Sequence, residues 1–319
     1  MKLVLHLLLI IICSLNTTMT ESSLRAEEKA FTPTGLQLYY GNDSKILDTM
    51  QQRMRKGQVV VIELRNLSKE QISAIVNSSR QAGSKVLAYI SIGALGHLER
   101  ANFEQYLKDR NVSKTLDNMI LEKNQKFEAL RIDVTESIWR EFLIQRIKRI
   151  YNQNVDGLFL DAVDTCDLYI NRKEWPISRR AESVKVMIGL IRMIKAMAPE
   201  KFVMQNRGLN LIGKNVFVGD ATGVFIPGLD LAHFHPNNPD GLLWSGAYTD
   251  SSAWIASKER DMIQIRKNGF TSVFTLGYAD SAVDRKQFFQ NSRAAGFIPA
   301  WGSSNMKLHE ELTQEANSE

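Results

Sequence analysis

Short apolar runs alternate with amphipathic stretches along the chain from residue 34 to residue 300. The apolar runs, which we predict to be strands, cover residues 37–40, 59–64, 86–92, 130–134, 157–160, 202–205, 223–226 and 272–276. The amphipathic stretches between them, which we predict to be helices, include residues 68–82, 136–151, 179–198, 253–268 and 284–295. In residues 136–151, for example, large apolar side chains recur at the spacing of one helical face.

Several of the predicted strands are continuously apolar, which is typical of a parallel sheet whose faces are covered by helices. Eight such strands alternating with helices predict an α/β protein with a (β/α)8 TIM barrel. The alternative, a doubly wound open sheet, is disfavoured because no G-x-G-x-x-G follows the first strand. The 319 residues fit a single domain, which we place at residues 33–302. We expect a charged C-terminal tail at residues 303–319 that is frayed from Met306 onward.

The N-terminus has the pattern of an export signal. Lys2 precedes an apolar run at residues 3–12, which is too short to span a membrane and matches the apolar core of a signal peptide. Cleavage near Ala26 predicts a signal peptide at residues 1–26 and an exported protein that is secreted, periplasmic or on the cell surface. A lipoprotein signal anchored at Cys13 is the second interpretation, disfavoured by the bulky Ile12 before it.

The charge and the cysteines exclude several classes of protein. The formal net charge is +5, and the basic residues are scattered, which disfavours nucleic-acid binding. Removal of residues 1–26 takes away two basic residues and one acidic residue, leaving +4. Cys166 is then the one remaining cysteine, so neither an internal disulfide nor a zinc finger is possible, and we expect its side chain to be buried. We expect a monomer without membrane association after cleavage.

Polar side chains follow the predicted strands, at the C-terminal ends where barrel proteins build their sites. They are carboxylates, amides, a hydroxyl and tyrosines: Tyr40, Glu63, Ser91, Asp133, Asp161, Asp164, Gln205, Asn206 and Tyr278. Such a mixture suits a neutral, hydrogen-bonding ligand such as a sugar, and Trp244 and Tyr248 offer aromatic faces for stacking on it. His233 and His235 lack an evident third ligand, so we predict no metal and no cofactor.

The sharpest chemical signal is the segment that ends at Asp161 and Asp164. An apolar strand delivers Asp161 to the barrel mouth, and Asp164 follows three residues later. Cleavage of a glycosidic bond requires two carboxyl groups, one to protonate the leaving oxygen and one to act as nucleophile or base. In the alternative interpretation Asp164 caps a helix and Asp161 merely ends a strand. Glu63 and Asp133, at the ends of other predicted strands, favour the catalytic interpretation.

The sequence resembles glycoside hydrolase family 114, the endo-α-1,4-polygalactosaminidase-like barrels. The matching segments are residues 38–41 (Leu-Tyr-Tyr-Gly), 59–63 (Val-Val-Val-Ile-Glu), 86–93 (Val-Leu-Ala-Tyr-Ile-Ser-Ile-Gly), 131–134 (Arg-Ile-Asp-Val) with Trp139 and Arg140, 156–164 (Asp-Gly-Leu-Phe-Leu-Asp-Ala-Val-Asp), 205–206 (Gln-Asn) and 296–299 (Gly-Phe-Ile-Pro). The resemblance implies the barrel fold and extracellular hydrolysis of a galactosamine-containing polysaccharide, with Asp161 as nucleophile or base.

The chain departs from this family at several positions. Ala94 and Phe225 stand where the resemblance leads us to expect glutamates, the second near the end of the seventh predicted strand, and Glu63 stands where aspartate is usual. Arg207 separates the Gln-Asn pair from the glycine that normally follows it. Two hypotheses remain: a secreted hydrolase acting through Asp161, and a degenerate barrel that binds carbohydrate. The positive charge of the mature chain favours an acetylated or neutral glycan over a polycationic one.

Overall fold

A barrel of parallel strands organises the chain, as the sequence predicts. The computed structural model describes residues 31–219, 223–233, 235–248, 252–278 and 281–315, and the barrel belongs to the unit formed by residues 33–319. The barrel strands are β1 (Gly35–Tyr39), β2 (Gln58–Ile62), β3 (Lys85–Ser91), β4 (Gly157–Asp161), β5 (Phe202–Asn206), β6 (Gly241–Ser245), β7 (Val273–Tyr278) and β8 (Ile298–Gly302). Each strand pairs in parallel with the next, so all eight C-terminal ends meet at one mouth.

Helices cover the outside of the barrel. In the described ranges they are α1 (Ser44–Gln52), α2 (Lys69–Ala82), α3 (His97–Asp109), α4 (Ser137–Tyr151), α5 (Thr165–Asn171), α6 (Ile177–Met197), α7 (Ser252–Lys267) and α8 (Ala282–Ala294). Local sequence determines where α2 begins and ends. Ser68 and Gln71 form a reciprocal capping box at its start, and Gly83 takes the left-handed conformation, with φ of 70°, at its end. The five predicted helices are confirmed, each within two residues at either end.

Two of the predicted barrel strands are wrong. Residues 129–132 instead belong to a three-stranded antiparallel sheet, the insert sheet, made of Ala94–Gly96, Ile120–Asn124 and Ala129–Ile132. Residues 224–227 pair antiparallel with Asn215–Val218 in a hairpin beside the barrel, the outer hairpin. Their places in the barrel are taken by β6 and β8. A short apolar run by itself does not reveal whether its partner strand is parallel or antiparallel, and this is why pattern alone misassigns them.

The C-terminal segment closes the barrel, so the prediction that residues from Met306 onward are frayed is wrong for residues 306–315. Gln314 and Glu315 pair antiparallel with Trp301 and Ala300 of β8. On the other side, Leu38 of β1 donates its backbone N–H to the Thr313 hydroxyl at 2.9 Å and accepts the Thr313 N–H at 3.3 Å. The segment therefore connects the last strand of the barrel to the first.

The predicted signal peptide at residues 1–26 lies outside the described residues. Across the part of the chain that the structure describes, no helix is long and apolar enough to cross a membrane. Cys166 is fully buried, as the sequence predicts.

Candidate active site

The barrel mouth collects most of the side chains predicted from the strand ends. Tyr40 follows β1, Glu63 follows β2, and Ser91 and Asp161 are the last residues of β3 and β4. Gln205 and Asn206 end β5, and Tyr278 ends β7. Because the strands are parallel and each delivers its last residue to the same face, this end of the barrel is where chemistry is expected.

Asp161 is held by two neutral donors. The Tyr89 hydroxyl donates to Oδ2 at 2.7 Å, and the Asn206 amide donates to Oδ1 at 2.7 Å. The Tyr89 ring also contacts the Tyr40 ring, with centroids 4.9 Å apart. Within the described ranges Asp161 has no ion-pair partner. Asp161 is thus a carboxylate that is oriented, among the residues that the structure describes, by neutral groups.

Tyr89 is a site residue that the sequence analysis did not identify. It lies two positions before Ser91 in β3, and residues two apart in a strand project to the same face. This two-residue period could have identified Tyr89 from the sequence, because Ser91 is on the side of β3 that faces the mouth and Tyr89 is on the same side. The register then places β3 beside β4, with Ser91 opposite Asp161.

Burial and the charge of Asp161 keep the tyrosines of the mouth protonated. Burial, followed by the neighbouring Asp161 charge, raises the pKa of the Tyr40 and Tyr89 hydroxyls well above their ordinary value. Burial is also the main cause that raises the pKa of Tyr278 to about 12, with Asp161 adding to it. At neutral pH all three hydroxyls therefore remain hydrogen-bond donors.

Backbone strain surrounds Asp161. Ala162 and Arg207, which directly follow Asp161 and Asn206, have φ of 56° and 57°, an unfavourable left-handed conformation for residues with a side chain. Gly93 lies against the first of these turns: a Cβ at Gly93 would lie 2.2 Å from the Ala162 carbonyl oxygen. Ile92 donates its backbone N–H to the Asp161 carbonyl at 3.0 Å and so joins the segment that follows β3 to the end of β4.

Asp164 is paired with arginine rather than with the helix that it precedes. It stands at the N-cap of α5, but its side chain makes no capping hydrogen bond. Instead Arg131 Nη1 donates to Asp164 Oδ1 at 2.9 Å and to the Thr165 hydroxyl at 2.9 Å. Arg207 Nε lies 3.9 Å from Asp164 Oδ2. The insert sheet carries Arg131, so its role in the mouth is to place a cation beside Asp164.

Glu63 is also paired with a cation. Its carboxylate, in a residue only 5% exposed, accepts from Arg65 Nε at 2.9 Å and forms a second, shorter bond with Arg65 Nη2. Arg65 reaches on to Glu99 at 3.3 Å, and Glu99 in turn pairs with Arg146 at 3.2 Å. Such a bidentate pair fixes the carboxylate and offsets its charge.

Two predicted site residues, Asp133 and Tyr248, make their contacts with groups other than Asp161. Asp133 follows the insert sheet rather than a barrel strand, accepts from Thr135 and lies 3.5 Å from Arg179. Tyr248 donates to Glu259 at 2.5 Å, and its ring packs on Trp244. Trp244 itself is fully buried within β6, so the expectation that it stacks on a ligand is wrong.

The other predicted residues shape the turns around the mouth. Ser91 donates to the Ala94 carbonyl at 2.7 Å, and Gln205 donates to the Arg207 carbonyl at 2.8 Å. His233 contacts Asp230 rather than a ligand set, and no cluster of potential metal ligands occurs among the described residues.

The fold is a (β/α)8 barrel with a carboxylate, Asp161, oriented at its mouth. The model of glycoside-hydrolase family GH114 matches residues 20–221, and the chain belongs to this family. The match ends before β6, so the last three barrel strands are defined by the structure.

Two solved structures share the fold. The glycoside hydrolase domain of PelA from Pseudomonas aeruginosa has a TM-score of 0.57 and 17% identity, covering 87% of this chain and 96% of that one. Aspergillus fumigatus Ega3 in complex with galactosamine has a TM-score of 0.56 and 14% identity, covering 90% of this chain and 95% of that one. No curated protein matches the sequence.

Proposed function

We propose that the chain is a secreted glycoside hydrolase that cleaves a galactosamine-containing polysaccharide, with Asp161 as nucleophile or base. The observation that carries this proposal is the setting of Asp161, which is oriented by Tyr89 and Asn206 and has no cation partner in the described ranges. A nucleophile or base must be ionised and available to the anomeric carbon or to water. Arginine pairing makes Glu63 and Asp164 less suited to that role.

Membership of the family supports the reaction class, and the galactosamine bound to Ega3 supports the sugar. Export is supported by the signal-like pattern of residues 1–26. We assign Tyr40, Asn206 and Tyr278 to the sugar subsite, because each carries a hydrogen-bonding group at the mouth. Tyr40 and Tyr278 stay protonated at neutral pH, which lets them donate to sugar oxygens.

The second candidate function is carbohydrate binding without hydrolysis. A specific observation favours it: Glu63 and Asp164, the described carboxylates that share the mouth with Asp161, are both engaged by arginine. A carboxylate whose oxygens are held by a guanidinium group is poorly placed to deliver a proton to a glycosidic oxygen. Loss of a general acid typically costs ~10²–10⁴-fold in rate.

Hydrolysis of partially acetylated α-1,4-galactosaminogalactan by the mature protein and by Asp161→Asn tests the proposal. We expect wild type to release oligosaccharides and Asp161→Asn to release essentially none. Asp48→Asn, which makes the same change on the exposed face of α1, should leave the rate unchanged. Equal release by wild type and Asp161→Asn would contradict the assignment of Asp161. No release by wild type, with glycan binding retained by all three proteins, would establish the binding function instead.

A further inference from the structure

The insert sheet makes contacts on two opposite sides of the barrel mouth. At its base, Arg131 Nη1 donates to Asp164 Oδ1 at 2.9 Å, just beyond the end of β4. Its other end is the insert tip, residues 125–128, where Lys126 Nζ donates to Met306 Sδ at 3.4 Å, just beyond the end of β8. The fourth and eighth strands of an eight-stranded barrel lie opposite each other, so the contacts of the insert sheet extend from one side of the mouth to the other.

The insert tip lies beside residues of the mouth. Two residues after Met306, the Leu308 carbonyl accepts the Tyr40 backbone N–H at 2.7 Å. The Tyr40 ring contacts the Tyr89 ring, and the Tyr89 hydroxyl holds Asp161. Eight strands ~4.8 Å apart and tilted by ~36° enclose a barrel about 15 Å wide. A glycan that reaches from Asp161 on β4 to the insert tip beside β8 is therefore longer than one sugar ring.

Phe127 places an aromatic ring at the insert tip. Its side chain is 56% exposed, so more than half of it is accessible to a ligand. Lys126 Nζ, which contacts Met306, also lies 5.4 Å from the centroid of the Phe127 ring, and this cation–π contact holds the ring beside the same junction. An exposed aromatic ring offers a flat apolar face on which the C–H face of a sugar ring can stack.

Exposed large apolar side chains in the described ranges also occur at Leu98 and on the outer hairpin, at Phe217, Val224 and Phe225. The rings of Phe217 and Phe225 are paired across the hairpin with centroids 5.1 Å apart, so each covers part of the other. The outer hairpin stands between β5 and β6, where a helix on the outside of the barrel normally lies. The insert tip instead lies next to the segment that bonds to Tyr40, which favours it as a contact for a glycan bound in the mouth.

We propose that the insert tip is a distal sugar subsite, in which Phe127 stacks on a pyranose ring at least one unit away from the ring at Asp161. This inference rests on the proposed function in one respect, namely that a galactosamine-type glycan occupies the mouth. Stacking that removes ~40 Å² of the aromatic ring from water strengthens binding about fivefold. Only oligomers that reach from Asp161 to the insert tip gain this contribution, so long glycans bind more tightly than short ones.

The test compares partially acetylated α-1,4-linked galactosamine oligomers of two and eight units. Their affinities are measured by calorimetry in an Asp161→Asn background, which should leave the oligomers intact. We expect Phe127→Ala to weaken binding of the eight-unit oligomer about fivefold and to leave binding of the two-unit oligomer unchanged. Phe127→Tyr, which keeps the ring, should retain the affinity. Phe225→Ala, which removes a more exposed ring from the outer hairpin, should change neither.

The same substitutions in the protein that retains Asp161 separate binding from chemistry. Phe127→Ala should raise KM for the eight-unit oligomer about fivefold and leave kcat unchanged, because the distal ring takes no part in bond cleavage. A fall in kcat with KM unchanged would overturn the subsite.

The outcomes also separate this inference from the proposed function. Unchanged affinity in Phe127→Ala, or equal losses for the two oligomers, would overturn the subsite, and product release by wild type would still establish the hydrolase. A loss in Phe225→Ala instead of Phe127→Ala would place the glycan on the outer hairpin and overturn the subsite. A loss specific to Phe127→Ala, without product release by wild type, would support the subsite and contradict the hydrolase. Absence of binding of both oligomers by the folded background protein would overturn the subsite, while product release would decide the proposed function separately.

Discussion

At the scale of single residues, the hydroxyl of Tyr89 is the group whose removal tests the orientation of Asp161 most directly. Tyr89→Phe keeps the ring contacts with Tyr40 and Phe159 and removes the hydrogen bond to Asp161. A hydrogen bond to a charged group contributes ~1.5–3 kcal/mol. We therefore expect oligosaccharide release to fall roughly 10- to 100-fold, as measured by initial rates, with the far-ultraviolet circular dichroism unchanged.

The matched control is Tyr106→Phe, which removes a hydroxyl bonded to Gln145 on the outer helices. It should leave the rate of release within twofold of wild type, roughly the scatter expected of a surface change. If Tyr106→Phe slows release as much as Tyr89→Phe, the loss arises from general loosening of the barrel and not from Asp161.

Gly93 provides a second prediction at this scale, on stability. A Cβ at Gly93 would lie 2.2 Å from the Ala162 carbonyl oxygen and 2.7 Å from the Thr165 hydroxyl, and the first is backbone that cannot rotate away. Overpacking of this kind costs ~1–3 kcal/mol or more. We expect Gly93→Ala to lower the free energy of unfolding in urea by at least this amount and to displace Asp161.

Substitution of a glycine that has no close neighbours should change the free energy of unfolding in the opposite direction. Gly189 lies inside α6, and a Cβ there would meet no atom within 4 Å. Gly189→Ala should raise the free energy of unfolding by ~0.5–1 kcal/mol because alanine is the better helix former. Equal urea midpoints for the two variants would show that the close approach of Gly93 to Ala162 is absent in solution.

At the scale of elements, much of the fold could be predicted from the sequence because the spacing of apolar residues reflects which faces of helices and strands are buried. Helix α4 buries Trp139, Phe142 and Leu143 on one face, and that spacing is visible in the chain. Strand β2 is buried at every position, as its apolar run predicts. Strand β6 was missed because its apolar stretch is only Leu242, Leu243 and Trp244 between Gly241 and Ser245. A run of three apolar residues is too short to identify a strand from the sequence, and packing in the folded barrel determines that it is one.

The site was predicted less completely than the fold, because a sequence pattern does not identify ion-pair partners. Asp161 and Asn206 follow from strand ends, and the structure joins them by a hydrogen bond. The pairing of Asp164 with Arg131 depends on how the insert sheet folds against the mouth, and no local rule of spacing specifies that. The cation that changes the role of Asp164 is 33 residues away in sequence.

The corrected position of β6 leads to a prediction about the general acid. The resemblance to the family leads us to expect a glutamate near the end of the seventh predicted strand, residues 223–226. That predicted strand is not in the barrel, and the barrel strand before β7 is β6, which ends at Ser245. Phe225 lies on the outer hairpin and is 72% exposed. Ser245 contacts the Tyr278 hydroxyl at 3.3 Å, and β6 is separated from β4 by one strand. Two strand spacings are ~10 Å, so a glutamate side chain there can come within glycosidase range of Asp161.

Ser245→Glu should therefore raise hydrolysis of the galactosaminogalactan by ~10²-fold or more, if the wild-type protein lacks an efficient acid. Ser245→Gln, of nearly the same size but unable to donate an acidic proton, should give no gain. The measurement is the initial rate of oligosaccharide release across a pH series. A gain shared by both variants would indicate a change in binding, and no gain in either would place the acid elsewhere.

At the scale of the whole molecule, closure of the barrel depends on a segment with little sequence signal. The segment around Thr313 and Gln314 is polar and short, and nothing in its pattern predicts a strand. Yet Thr313 is only 2% exposed, and Leu308 accepts the backbone N–H of Tyr40 at 2.7 Å. The same segment therefore seals the seam between β8 and β1 and supports a residue of the mouth.

Replacement of Thr313 by valine tests this closure with a minimal change of shape. Thr313→Val removes the acceptor for the buried N–H of Leu38, and an unsatisfied buried donor costs ~1–3 kcal/mol. Thr34→Val removes an exposed hydroxyl bonded to the Lys56 carbonyl and should cost less than ~0.5 kcal/mol. We expect urea unfolding to separate the two variants by at least ~1 kcal/mol and hydrogen exchange at Leu38 to accelerate in Thr313→Val alone. Equal stability of the two variants would mean that the hydrogen bond between the Thr313 hydroxyl and Leu38 does not contribute to closure of the barrel.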